Sequence, residues 1–313
     1  MAANYWDSSQ AKYWTFTKPE LASLRTGLAQ QHPNLHNKYP LPDQRHLSIY
    51  VQNQLTKLAR RLNLRQQALA TAQVYIKRFY LSVDIRKTNP YLIMATAAYL
   101  ACKMEETPQH IRLMLGEAAR QWPELGVTET SKIGECEFAL ISTLQSRLIL
   151  HHPYRALGEL QGVFGLSTEE AALAYSVIND CYNTDLPLMY PPHVLAITAI
   201  FLAVVLRPAG QPAGLQAHSA SASASASSSS TSTPALSGNA AQTALAGFAG
   251  LKQAGPKLGK LVDWLAESKV DMEAIVDATQ EMVSLYEVWE SYSERACKEV
   301  ITRFMREGGG IGK

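Results

Sequence analysis

The sequence predicts an all-α fold built from two related helical units, on three observations. Apolar residues recur at helical spacing along most of the chain, with no alternating strand pattern. The segment Tyr91–Glu106, YLIMATAAYLACKMEE, has a weaker copy at a fixed offset of 102 residues, which carries Ala70, Ala72, Ile76 and Tyr80 onto Ala172, Ala174, Ile178 and Tyr182. At the same offset Pro90, Thr96, Ala97, Leu100 and Ala101 meet Pro192, Thr198, Ala199, Leu202 and Ala203. The third observation is a change of composition between about 208 and 259, where the chain turns to Ala, Ser, Gly and Pro.

The elements follow in order. Residues 1–42 form an N-terminal arm in which Tyr5, Trp6, Tyr13, Trp14 and Phe16 crowd together. Such a cluster packs on its own domain or docks a partner, since aromatic side chains dominate interface hot spots. The first unit spans 43–150. Leu47, Val51, Leu55, Leu58 and Leu62 make its first apolar stripe, and Leu69, Ala72, Ile76, Phe79 and Tyr80 its second. Asn89 is placed to cap a third helix, with Pro90 in its first turn. Thr107-Pro108 repeats that pattern and is expected to open a fourth helix, ended by Pro123 and Gly126. A fifth is expected from about Ser131 to Arg147.

The second unit spans 151–305. Ser167 and Glu170 make a capping box before the helix Ala171–Tyr182, and Pro191-Pro192 opens the helix through Leu206. The stretch at 208–259, with SASASASSSSTSTP inside it, cannot bury enough apolar surface to offset ordering and is expected to be disordered. As a loop between the unit's third and fourth helices it costs about 1–2 kcal/mol beyond a short connection. Helix is expected again from Leu261, from Asp271 to about Tyr292, and over Glu294–Met305, with 306–313 a disordered tail.

Composition excludes several classes. A net charge of +2 over 313 residues gives no electrostatic reason to expect direct nucleic-acid binding. Val194–Leu206, the longest apolar run, is too short for a bilayer, and the aromatic, charged N-terminus lacks the apolar core of a signal peptide. Cys102, Cys136, Cys181 and Cys297 fit no zinc spacing and read as reduced core residues. There is no phosphate-binding P-loop and no nucleophile elbow. Glu105 and Glu106 are adjacent and so diverge by about 100° on a helix. His151-His152 has no ligand partner at metal spacing and reads as structural. The pattern is that of a binding module without cofactor.

Two charges stand where spacing calls for apolar residues. Lys103 closes the stripe Leu92, Thr96, Tyr99, and Glu137 interrupts Ile133, Leu140, Leu144. Half-buried charges are costly unless paired, so the economical arrangement sets Lys103 against Glu137, jointly facing something outside. Two unrelated charges at helix edges is the alternative. Only the first unit carries this feature: Lys103, Glu105 and Glu106 fall opposite Val205, Arg207 and Pro208.

The segments LPDQRHLSIYVQNQL, RQQALATAQVYIKRFY, YLIMATAAYLACKMEE and GECEFALISTLQSRLILHHPYRAL, in that order, resemble the cyclin box. ANYWDSSQ, ECEF, HPYR, LMYPP and KVDMEAI are similar to the Mediator-associated cyclin C subfamily in its fungal form. The resemblance covers about 2–207 and 260–305. It implies two tandem five-helix cyclin boxes with added N- and C-terminal helices. It implies a nuclear, non-catalytic subunit that activates a cyclin-dependent kinase of the Mediator kinase module, with other module subunits as further partners. The family's kinase-contacting Lys and Glu map onto Lys103 and Glu137, and its N-terminal helix implies kinase contact for Tyr5, Trp6 and Trp14. A groove for another module subunit would involve Trp6, Glu105, Asn179, Asp180 and Tyr286, with Tyr175 where a Trp is usual. Gln44-Arg45-His46-Leu47-Ser48 departs from the docking pattern of cell-cycle cyclins. General transcription factors that bind DNA directly share the repeated fold; near-neutral charge and the lack of a zinc ribbon weigh against that alternative.

Overall fold

The computed structural model describes residues 4–206 and 256–308, and the described residues form helices, turns and loops without strands. The arm holds a 3-10 turn (Tyr5–Asp7), α1 (Ser9–Tyr13), α2 (Lys18–Gln31) and α3 (Pro33–Lys38). The first unit is α4 (Gln44–Arg61), α5 (Gln66–Phe79), α6 (Pro90–Met104), α7 (Ile111–Gln121) and α8 (Thr130–Thr143). The second is the five helices α9 (Pro153–Phe164), α10 (Thr168–Cys181), then, after the one-turn α11 (Leu186–Met189) of the connection, α12 (Pro192–Leu206), α13 (Pro256–Glu267) and α14 (Met272–Ser291). Last comes α15 (Glu294–Gly308).

Each unit is organised around its third helix, α6 or α12, because that helix is apolar on nearly every side. The duplicated alanines explain the packing. Ala97 and Ala101 on α6, like Ala199 and Ala203 on α12, are fully or almost fully buried. Small side chains let a neighbouring helix approach closely, and α5 and α10 take that place in their units. Larger residues then fill the remaining space, with Tyr75, Tyr91, Met94 and Met114 buried in the first core and Ile178, Leu195, Ile197 and Ile200 in the second. Burying each such side chain contributes about 1.5–3 kcal/mol. The units share a seam, since Ile49, Ala70, Val74 and Leu81 from the first join the second core.

Local signals act as the sequence predicts at two starts. Asn89 Oδ1 accepts from the backbone N–H of Tyr91 and Leu92, and Ser167 with Glu170 forms the capping box of α10. Other expectations are corrected. The fourth helix begins at Ile111 with His110 as cap, because the Thr107 N–H is spent on Cys102 O, closing α6. That closure puts Glu106 at φ +54° in the left-handed region, with the paired bonds of a Schellman motif, Thr107 N to Cys102 O and Glu106 N to Lys103 O. The fifth helix stops at Thr143 rather than Arg147, and Gln145 and Ser146 turn left-handed there. Pro256–Gly259, expected in the disordered stretch, are the first turn of α13; the rest of that expectation falls outside the described residues. Arg306 and Glu307, expected in a disordered tail, belong to α15, while 309–313 lie outside the described residues.

The course of α15 departs most from the chain-order division at 151–305. It leaves the second unit and packs on α4 and the 3-10 turn Ile85–Lys87 of the first. Cys297, Ile301 and Phe304 complete the first core. Glu294 accepts from Gln54 Nε2 at 2.7 Å and from Lys57 Nζ at 2.6 Å, and Lys298 pairs with Glu124 at 2.9 Å.

Candidate functional site

Lys103 sits in the last turn of α6 and Glu137 in the middle of α8. The two helices pack side by side, and the charges meet as an ion pair. Lys103 also lies over the Tyr99 ring, Nζ 4.7 Å from its centroid. Its side chain is 40% exposed and that of Glu137 15%. Solvent does not reach Glu137 Oε1, which meets the ammonium as an ion pair rather than as an aligned hydrogen bond. A pair this open contributes about 0–1 kcal/mol to folding. Stability therefore gives little reason for two charges on apolar stripes. Nζ keeps donors to spare at the surface.

A residue that stripe reasoning passes over stands beside them. Phe138, the neighbour of Glu137, is 78% exposed on α8. Met104 and Ile149 are also exposed large apolar residues of this unit. The available signal was a bulky aromatic one position off the buried stripe. A cation, a shielded carboxylate and exposed apolar side chains are the ingredients of an interface with a polar anchor and an apolar contact.

The aromatic arm divides. Trp6 is 62% exposed, with its ring 5.9 Å from that of His193 and 5.2 Å from that of Tyr5. Half-buried Tyr5 meets the His151 ring edge-on at 5.9 Å and shares a 3.3 Å hydrogen bond with Thr15. Trp14 is 6% exposed and belongs to the first core. Trp14, for which kinase contact is expected, thus offers little free surface: its ring lies 4.8 Å from the guanidinium carbon of Arg78, which is itself fully buried. Trp14 anchors the arm and leaves Trp6 for contact. Gln10 fixes the arm to the inter-unit linker, accepting from His151 N at 2.7 Å and donating to His151 O at 3.4 Å. Burial pushes the Arg78 guanidinium down to about 9, against the pull of nearby Tyr75 and Tyr5.

The residues of the expected groove fall along the seam between the units. Glu105 accepts from Thr71 Oγ1 at 2.6 Å and lies 3.9 Å from His152 Nε2. His152 Nδ1 meets the Tyr182 hydroxyl at 2.6 Å, joining the two units through one ring. Asn179 Oδ1 accepts from Gln66 Nε2 at 3.0 Å and from the Tyr154 hydroxyl at 2.9 Å. Tyr154 lies beside Tyr175, centroids 5.0 Å apart. Tyr286 donates to Asp180 Oδ2 at 3.1 Å. Burial pushes the Asp180 carboxyl up to about 6, partly opposed by that hydrogen bond. Glu105 and Asn179 thus bond across the units in two separate groups, Asp180 and Tyr286 pair within the second unit, and Trp6 approaches through Tyr5 and His151. Glu106 is exposed, while Glu105 is half-buried.

Burial first, then the charges of His151 and Arg78, push His152 down to about 3. The ring is therefore neutral and structural, as its place at the junction suggested. Among the described residues no cluster of His, Cys, Asp or Glu could hold a metal ion, and no helix is long and apolar enough to cross a membrane.

Comparison with known proteins agrees with this architecture. Residues 22–149 match the family described as the cyclin N-terminal domain. The RNA polymerase II holoenzyme cyclin-like subunit of Aspergillus clavatus is 52% identical over 311 residues, covering 98% of each chain. That of Emericella nidulans is 53% identical over 306 residues, again 98% of each. A chain in the CAK complex of Chaetomium thermophilum bound to ATP-gamma-S shares the fold at a TM-score of 0.60 and 18% identity, covering 96% of this chain and 86% of the other. With half its residues shared over nearly its whole length, this chain belongs to the cyclin family, among the RNA polymerase II holoenzyme cyclin-like subunits.

Proposed function

We propose that this chain is the non-catalytic regulatory subunit of a cyclin-dependent kinase in the Mediator kinase module, acting in the nucleus on RNA polymerase II transcription. One observation carries the kinase reading: Lys103 and Glu137 pair at the surface beside exposed Phe138, in the first unit alone. That face packs on the kinase αC helix. It favours the αC position in which the kinase's own Lys–Glu ion pair and metal site form. Trp6 and Tyr5 of the arm extend the contact, and buried Trp14 holds the arm in place. The seam at Glu105, Asn179, Asp180 and Tyr286 receives a second subunit of the module. The names carried by the relatives support the link to RNA polymerase II.

The test is co-purification of the kinase with Lys103→Glu, Glu137→Lys and the double charge swap. Both single variants lose the kinase while keeping the wild-type melt. The double swap restores the internal ion pair but not the kinase, because the groups offered to the partner have exchanged sign. Wild-type recovery of the kinase by either single variant would overturn the reading.

A further inference from the structure

A second concave site lies at the opposite end of α6 from Lys103. Tyr91 in the first turn of α6 and Lys103 in its last are twelve residues apart in sequence, so about 18 Å of helix separates them at 1.5 Å per residue. Around Tyr91 a cavity of about 450 Å³ opens between α4, α7 and α15. Its lining carries five cations, Lys57, Arg60, Arg61, Arg120 and Lys298, against the single carboxylate of Glu294. Two further carboxylates stand behind the cations. Glu117 holds Arg61 at 3.1 Å and also pairs with Arg120, and Glu124 holds Lys298 at 2.9 Å. A cationic excess remains, in a chain whose total net charge is only +2.

The floor is polar and buried. The Tyr50 and Tyr91 hydroxyls hydrogen-bond each other at 2.7 Å. Two phenols carry two protons and this bond uses one, leaving an O–H for a further acceptor. The Gln54 amide is committed, accepting from Trp122 Nε1 at 2.9 Å and donating to Glu294 at 2.7 Å. Glu294 also takes the Lys57 ammonium, so an oxyanion of this chain already sits in the cavity on two of its donors. Arg60 and Arg120 remain exposed on the rim to grip a second oxyanion.

We propose that this cavity binds a phosphorylated serine or threonine in a peptide segment of a partner protein. Guanidinium forks match phosphate oxygens bidentately. The cavity is compact and bounded by three helices, which suits one phosphorylated side chain; a basic stripe tracking a nucleic-acid backbone would be longer. Its distance from the Lys103 face leaves it open when that face is covered.

The test is fluorescence polarisation on the full chain. The probe is a labelled degenerate peptide library centred on phosphoserine. The same library centred on serine, inorganic phosphate and a short DNA duplex complete the set. The phosphoserine library binds at least about tenfold tighter than the serine library, and Arg60→Glu and Arg120→Glu each remove at least about tenfold of that affinity. Arg155→Glu, on α9, leaves it unchanged. Both rim arginines are exposed, and an unchanged thermal melt verifies the fold. Equal binding of the two libraries, or wild-type affinity in both rim variants, overturns the proposal. Displacement by inorganic phosphate at the peptide's own concentration assigns the site to free phosphate and overturns it. Preference for the DNA duplex does so as well.

Discussion

The fifth helices of the two units use their carboxylates in opposite ways. In the second unit, α14 spends Asp277 and Glu281 on other parts of the chain, in pairs that reach the surface as much as Lys103–Glu137 does. Asp277 takes Lys18 and the Tyr190 hydroxyl, and Glu281 takes Arg45 at 3.3 Å, fastening the arm and α4 to the second unit. In the first unit, α8 turns Glu137 to Lys103 at the surface, with Phe138 exposed beside it. The position equivalent to Lys103 on α12 is Val205, which packs against the second core. One fold therefore carries a copy whose last-helix carboxylates tie the arm and α4 to it, and a copy whose ion pair closes within the unit next to an exposed aromatic residue. The lesson is that duplication supplies the scaffold, and departure from symmetry marks the surface proposed to meet the kinase.

The hardest blow to this comparison falls on its outward face. Lys103→Glu should cost about 2–5 kcal/mol in kinase binding, the range for truncating one partner of a desolvated charge pair. Thermal melting should move by no more than a surface ion pair is worth, about 0–1 kcal/mol. Isothermal titration calorimetry with the kinase, beside a melt of the free chain, checks both. The corresponding Val205→Glu should show the reverse, losing stability in the melt and retaining kinase affinity.

Acid tests the seam that joins the copies. The folded chain holds His152 at about 3, below its ordinary 6.5. The unfolded chain takes up a proton that the fold refuses. The stability this residue contributes is intact above about pH 6.5 and falls as pH drops toward 3. Linkage puts the loss at about 2 kcal/mol by pH 5. Glu105, 3.9 Å from Nε2, offsets part of it once the ring is charged. Urea melts at pH 7 and pH 5 should show this loss in the native chain and a smaller one in His152→Gln.

The duplicated threonines give a finer test. Thr198 on α12 and its counterpart Thr96 on α6 are both buried with no hydrogen-bond partner for the hydroxyl, but Thr96 has the Cys136 thiol beside it. Thr198→Val should stabilise by about 1 kcal/mol, the scale of a buried unsatisfied hydroxyl, and Thr96→Val by less. Denaturant midpoints resolve the pair. The smallest expected change is at the end of α6. Glu106 occupies a left-handed position that glycine adopts without strain, as Gly165 does after α9 at φ +59°. Glu106→Gly should raise stability by about 0.5–1 kcal/mol, read as a rise in melting temperature.

What the sequence made legible was local or periodic. The Asn89 cap, the Ser167–Glu170 box and the two misplaced charges depend on spacing within one or two turns, and each is found in place. The start of α7 was misplaced because Thr107 and Pro108 look like a cap. The three-dimensional closing of α6 had already claimed the Thr107 N–H. Phe138 was missed because stripe analysis looks for charges among apolar positions, not apolar side chains among exposed ones. The destination of α15 was not legible at all. Its stripe of Cys297, Ile301 and Phe304 is apolar enough for either core, and only the fold selects the first.

That return has a consequence for synthesis of the chain. The first unit leaves the ribosome early, yet Phe304, a buried part of its core, is made only after the whole second unit. Gln54 waits for Glu294 across 240 positions of sequence. Such distant closure slows folding, because loop entropy is lost before contacts reward it. A ribosome-bound chain thus holds an unfilled apolar socket until α15 has been made. A nonsense mutation before Glu294 would spare every helix of both five-helix sets and still leave the older half unfinished, a substrate for chaperones and quality-control proteases.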